Sequence, residues 1–263
     1  MKAALLVIDV GNTNTVLGVF EGQKLRAQWR LATNREQTAD EYGILTRNLF
    51  TLEGIQSSQI SGVMIASVVP PLNSVLEEMA EKYFHLKPFF LGPGTRTGMA
   101  IQYENPQEVG ADRIADSVAA YEKYGGPCVV VDFGTAITFD AISAKGEYLG
   151  GVIAPGIGIS AEALFEHAAR LPRVEIREPQ RVIGTNTVAS MQSGLFYGFV
   201  GLVDGVLDRL CGILGPQTKV IATGGQASLV AAASKHKPPV DASLTLEGLR
   251  IIYERNLPGV KHK

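Results

Sequence analysis

The sequence predicts an α/β protein built as two duplicated lobes, each a mixed sheet flanked by helices. Three observations carry this. An apolar run closes on an Asp-x-Gly turn at residues 9–11, the same pattern returns 123 positions later at residues 132–134, and helical spacing fills much of what lies between. At 263 residues the chain is long enough for two cores of ordinary size.

The elements follow in order. Residues 3–8 form a buried-type strand that ends in the polar loop 9–15. Alternation over 16–20, a turn at 21–24 and a further strand over 25–31 extend it into a β-meander. Over 38–51, Tyr42, Leu45, Leu49 and Phe50 share one side, with Asp40 and Glu41 in the first turn, which predicts a helix. Residues 63–69 read as a strand stopped by Pro70 and Pro71, and 72–84 as a helix. The stretch 92–110, rich in Gly, Pro and Thr, is a loop, and Ala111–Tyr124 is a helix with Ile114, Val118 and Tyr121 in phase.

At Cys128 the opening pattern restarts. A strand over 128–131, a polar turn over 132–138, a strand over 139–142, a turn at Lys145 and Gly146, and a strand over 148–153 follow one another. The offset sets Asp9 on Asp132, Gly11 on Gly134 and Thr15 on Thr138, with the Gly22 and Gly146 turns one position out of step. A short Asp-x-Gly match arises by chance; a match of strand, turn, strand, turn and strand points to internal duplication. Helices over 160–170 and Thr187–Leu214, a strand over Lys219–Thr223 and a helix from Ala227 complete the second half. The run 244–256 is placed there too, giving lobes of 1–125 and 126–263 with no low-complexity linker between them.

Composition narrows the function. An apolar share of 46% with 19% charged residues fits a globular protein and excludes a disordered chain. A net charge of −2 gives no electrostatic footprint for nucleic acid or an anionic membrane, and the basic tail Lys261-His262-Lys263 reads as a solvated terminus. Cys128 and Cys211 are too few for a disulfide framework and lack metal-ligand spacing, as do the four histidines, so a reducing compartment is expected. The N-terminal apolar run is too short for a signal peptide and no stretch is long enough to span a bilayer, so the expectation is a soluble cytoplasmic protein.

Four segments carry candidate chemistry. In Asp9-Val10-Gly11-Asn12-Thr13-Asn14-Thr15 the glycine lets backbone N–H groups approach a phosphate, Asn and Thr add neutral donors, and Asp9 offers a carboxylate suited to hydrated Mg²⁺. A plain hairpin turn explains one such segment as well; its copy at 132–138 favours a nucleotide's phosphates gripped from two sides. Neither turn is a Walker A loop or a Rossmann fingerprint, because each joins strand to strand. Gly224 and Gly225, between a strand and a helix, leave room for a flat ring against the backbone. Asp112 and Arg113 open a predicted helix, where a carboxylate commonly complements the helix dipole or pairs with its neighbour. The alternative is a base for a substrate hydroxyl attacking a γ-phosphate.

Five motifs now stand in register: residues 9–15, Gly110-Ala111-Asp112-Arg113, residues 132–136, residues 150–156 and Thr223-Gly224-Gly225. In this order they resemble the type III pantothenate kinase family over nearly the whole chain. The resemblance implies the actin/hexokinase (ribonuclease H-like) fold, with ATP as co-substrate and transfer of its γ-phosphoryl group to the primary hydroxyl of pantothenate. It implies Asp112 as the catalytic base. Asp9, Val10, Gly11, Asn12, Thr13, Asn14, Thr15, Val16, Gly134, Thr135, Gly224 and Gly225 would bind ATP, with Mg²⁺ held by Asp9 through water. Asp132 would hold a monovalent cation, K⁺ or NH₄⁺. Tyr103, Gly110, Ala111, Asp112, Arg113 and Thr187 would bind pantothenate, in a homodimer whose Thr187 segment reaches the partner's site. Another kinase or phosphohydrolase on the same fold would share the phosphate turns without the Gly110–Arg113 and Thr187 pairing. An accessory role in transcription, a label also attached to this family, would require a basic face that the composition does not show.

Overall fold

The computed structural model describes residues 3–257, so the basic tail lies outside the described residues. The chain divides into two units: Met1–Met99, Asn105–Ala119 and Thr245–Lys263 form the first, Ala100–Glu104 and Ala120–Leu244 the second.

The first unit holds a five-stranded sheet in the order β3-β2-β1-β4-β5. Its strands are β1 (Ala4–Val10), β2 (Asn14–Glu21), β3 (Lys24–Ala32), β4 (Ile60–Ser67) and β5 (Phe89–Phe90). β1, β2 and β3 run as an antiparallel meander, and β4 lies parallel to β1. Period-two alternation sends Leu6, Ile8 and Val10 to one face with Leu17 and Val19. That face packs on Tyr42 and Phe50 of α1 (Ala39–Leu52) and on Leu76 and Met79 of α2 (Asn73–Phe84). Helix α1 starts where the sequence predicts, on a capping box: the Thr38 N–H donates to Glu41 Oε2 at 2.7 Å and the Glu41 N–H to Thr38 Oγ1 at 3.3 Å. The two-residue strand β5 is too short to leave a periodic signal and was not expected.

The opposite face, bearing Leu5, Val7 and Asp9, is covered by α7 (Leu244–Arg255). A Cβ at Gly18, which pairs with Val7, would come within 2.9 Å of Leu246 Cδ1, and one at Gly62 would collide with the Tyr253 ring. Helix α7 packs on α3 (Ala111–Tyr124) so closely that a Cβ at Gly248 would strike the Ala115 carbonyl. The closing helix thus belongs to the first unit, whereas its place in the chain suggested the second lobe. Its buried residues Leu246, Leu249 and Ile252 would suit either sheet, so periodicity alone does not choose.

The second unit carries β6 (Cys128–Phe133), β7 (Ala136–Ile142), β8 (Tyr148–Pro155) and β9 (Lys219–Thr223) in the order β8-β7-β6-β9. Val129, Val131, Phe133, Ile137 and Phe139 face Leu195, Phe199, Val203 and Leu207 of the long helix α5 (Thr187–Leu214). Around them lie α4 (Ile157–His167) and the short α6 (Ala227–Ala231). The duplication holds strand for strand: an antiparallel meander of two further strands on one side of the central strand, one parallel partner on the other. Even β5 has a remnant counterpart. Ile8, Ile65 and Phe90 line up across the first sheet as Val131, Ala222 and Val240 do across the second, the last through an isolated bridge.

Register corrects one detail. Asp9 pairs with Val16, but Asp132 pairs with Thr138, so the second hairpin is one residue shorter. The counterpart of Thr15 is therefore Ile137, not Thr138.

Gly248→Ala tests the α3–α7 packing. Helix propensity alone would make alanine stabilising by about 1 kcal/mol. The collision with a backbone carbonyl should reverse the sign, giving a loss of about 1–3 kcal/mol in denaturant unfolding.

Candidate active site

The first turn leaves β1 after Val10 and re-enters the sheet at Asn14. The Gly11 N–H donates to the Asn14 carbonyl at 2.9 Å, and a Cβ on Gly11 would lie 3.1 Å from that same oxygen, so the turn closes tightly only around glycine. Asn12 and Thr13 are exposed at its tip, while Val10 and Thr15 are fully buried. What Val10 and Thr15 present outward is therefore backbone. Asp9, half-buried, lies on the α7 side of the sheet, and Val16, also half-buried, shares that face.

The Gly110–Arg113 motif belongs to the same unit and opens α3, which reaches the α7 side through Ala115. The Arg113 N–H donates to Asp112 Oδ1 at 2.8 Å. The Asp112 carboxylate folds back over Gly110, where any Cβ would collide with Oδ1. A side chain at position 110 would therefore displace that carboxylate. Burial pushes the Asp112 carboxyl above its ordinary 3.8, and the Arg113 N–H and charge pull only partly against it. Arg113 itself is buried.

In the second unit, Asp132, Gly134, Thr135, Gly224 and Gly225 gather at one end of the second sheet. Thr223 stands beside Asp132 in the parallel pairing of β9 with β6. Gly224 follows with φ +95°, in the region that favours glycine, and a Cβ there would collide with Asp132 Oδ1. A Cβ on Gly134 would lie 3.6 Å from Asp132 Oδ2. Gly224 therefore lets the backbone pass close to this carboxylate, whereas Gly134 stands at ordinary contact distance from it. The second turn is closed by Gly156, whose N–H donates to the Thr135 carbonyl at 3.0 Å.

Tyr103 and Thr187 lie elsewhere in the second unit. The Tyr103 ring packs against Gly150 of β8 and tilts against Tyr148 with centroids 6.3 Å apart. The Tyr148 hydroxyl donates to the buried Asp140 at 2.8 Å, and Thr138 Oγ1 holds the other carboxylate oxygen at 3.2 Å. Thr187 is exposed in the first turn of α5, just past Asn186, whose Oδ1 accepts from the Ala189 N–H at 2.8 Å.

Among the described residues no group of three or more His, Cys, Asp or Glu side chains gathers as a metal site. Single carboxylates at Asp9 and Asp132 fit ions that share their shell with water and phosphate oxygens, as Mg²⁺ commonly does. Thr33, Arg35, Asp140 and the Gly156 contact were not singled out from sequence, although the 123-residue offset carries Thr33 onto Gly156.

Two mixed sheets of this matching order, each flanked by helices, define the fold of actin-like ATPases and sugar kinases. MreB 5 of Spiroplasma citri shares it with a TM-score of 0.56 at 11% identity, over 97% of both chains. A Baf family protein of Campylobacter jejuni does so with a TM-score of 0.62 at 23% identity, over 95% of this chain and 98% of that one. Within this class, the sequence model of the type III pantothenate kinase family matches residues 5–209. The type III pantothenate kinase of Koribacter versatilis is 60% identical over 96% of both chains, and that of Myxococcus xanthus 62% identical over 96% of this chain and 98% of its own. The chain belongs to the type III pantothenate kinase family.

A carboxyl raised in the folded state costs stability as pH climbs, because the unfolded chain ionises it first. At Asp112 the cost is absent below the ordinary 3.8, grows above it, and is complete once pH exceeds the raised value. Asp112→Asn should therefore melt higher than the parent at neutral pH, and the gain should vanish in acid. Thermal unfolding across that range measures it; a gap independent of pH would remove burial as the cause.

Proposed function

We propose that this chain transfers the γ-phosphoryl group of ATP to the primary hydroxyl of pantothenate in the cytoplasm, yielding 4′-phosphopantothenate for coenzyme A synthesis. The observation that carries this reading is the Asp112 carboxylate, folded over Gly110 at the head of α3 and raised by burial. A carboxylate whose pKa lies above its usual range is a better proton acceptor for an attacking hydroxyl. Arg113, Gly110, Ala111, Tyr103 and Thr187 hold the rest of pantothenate.

Residues 9–16 and Gly134 with Thr135 hold the phosphates through backbone N–H groups, and Gly224 with Gly225 leave space for the adenosine. Asp9 would hold hydrated Mg²⁺, and Asp132, beside Gly134 and Gly224, would hold K⁺ or NH₄⁺. Bound there, the cations neutralise charge on the phosphate oxygens. The protein contributes alignment and a fixed electrostatic environment more than covalent chemistry.

The working unit is a homodimer. On α5, Gly194 and Gly198 have open space where a Cβ would stand, along an apolar groove with Leu164, Leu195 and Phe199. Such a surface suits a helix of a second copy, and Thr187 starts the same helix.

An ATP-to-ADP coupled assay with pantothenate and Mg²⁺, with K⁺ exchanged for Na⁺, tests the reading. Turnover should require pantothenate and fall sharply in Na⁺. Turnover indifferent to pantothenate would sink the substrate. Asp112→Asn should lower kcat by ~10²–10⁴-fold while ATP still binds; near-normal turnover would take Asp112 out of the chemistry.

A further inference from the structure

The first turn is gripped by a segment outside it. Thr33, the first residue past β3, donates its hydroxyl to the Gly11 carbonyl at 2.8 Å. The Thr33 hydroxyl oxygen also lies 2.9 Å from Thr15 Oγ1. A hydroxyl has one hydrogen, so Thr15 is the donor of the second bond. The Thr33 N–H donates to the Thr13 carbonyl at 2.9 Å, and Arg35 Nη2 donates to Asn12 Oδ1 at 3.1 Å. Gly11, Asn12, Thr13 and Thr15 are each tied to residues 33–35.

These bonds set the direction of the turn's peptides. A trans peptide carries its C=O and N–H on opposite sides. Drawing the Gly11 carbonyl toward Thr33 therefore turns the Asn12 N–H away from it, and the Thr13 carbonyl does the same for the Asn14 N–H. The second half shows what is special here. Gly156 stands where Thr33 does and repeats the backbone bond, its N–H donating to the Thr135 carbonyl at 3.0 Å. It has no side chain, and a Cβ there would collide with that carbonyl. Its turn is one residue shorter. The hydroxyl accompanies the longer turn, which has one more peptide to orient.

We infer that Thr33 is a positioning residue for phosphoryl transfer: its hydroxyl sets the peptide geometry with which the first turn meets the phosphates of ATP. The inference rests on residues 9–16 being a phosphate site.

The test is steady-state kinetics on the full-length enzyme, with unfolding midpoints recorded for every variant. Thr33→Val removes the hydroxyl and keeps the branched shape. It should raise KM for ATP ~3–10-fold, the worth of one neutral hydrogen bond, and leave KM for pantothenate unchanged. Thr33→Ser should restore the parent value. An unchanged KM for ATP in Thr33→Val overturns the inference. So does a loss that serine fails to rescue, or one that follows the unfolding midpoint and affects both substrates alike. If Thr33→Val is insoluble, Thr33→Ala is judged by the same criteria. Asp9→Asn and Gly11→Val separate the two levels. If both keep the parent's KM for ATP, the phosphate reading itself fails; if they raise it and Thr33→Val does not, only the role of Thr33 falls.

Discussion

Period-two alternation along the central strands is the constraint on which the other features depend. In β1 it commits Leu6, Ile8 and Val10 to the core under α1 and α2, which leaves Asp9 on the opposite face. In β6 it commits Val129, Val131 and Phe133 to the core under α5, which leaves Asp132 opposite. A carboxylate in either core would need a partner or a neutralising proton. One residue of slip in either strand would exchange the two faces entirely. The hydrophobic cores therefore fix both aspartates on the faces turned away from them.

The duplication is close but not symmetric, and the differences have physical causes. Both halves close the central hairpin with a backbone bond from the residue that leaves the third strand. The first half adds a hydroxyl at Thr33 and a longer turn; the second substitutes glycine at position 156 and packs the start of α4 directly on the turn. Glycines mark the crowded points throughout. Gly110 yields to the Asp112 carboxylate, Gly224 to that of Asp132, and Gly248 to the backbone of α3. Their role is spatial; of these three, only Gly224 also has a backbone conformation that favours glycine.

Much of this was legible in the sequence. Long periodic segments such as Ala111–Tyr124 and Thr187–Leu214 gave helices with the expected bounds, and the repeated Asp-x-Gly turns revealed the duplication. What was not legible depends on tertiary partners. A two-residue strand at Phe89–Phe90 has no period to detect, and α7 has an apolar face that either sheet would accept. The one-residue difference between the hairpins is set by cross-strand pairing, which a linear offset averages away. Thr33 carried no signal in the sequence, because its hydroxyl bonds to the carbonyl of Gly11, 22 positions earlier. Asp112 was visible as a residue but not as a raised carboxyl, since burial is a property of the fold.

The return of α7 to the first unit makes that unit discontinuous in the chain, with almost the whole second unit threaded between its parts. On a ribosome the first sheet emerges early, yet the face bearing Val7, Gly18 and Gly62 gains its helix only when residues 244–255 have left the exit tunnel. Order of synthesis and order of completion are thus inverted. The half made first is finished last, and a chain cut short before Leu244 leaves the Asp9 face uncovered while every element of the second sheet is already present. Quality control acting on exposed apolar surface would therefore register C-terminal loss as a defect of the N-terminal sheet.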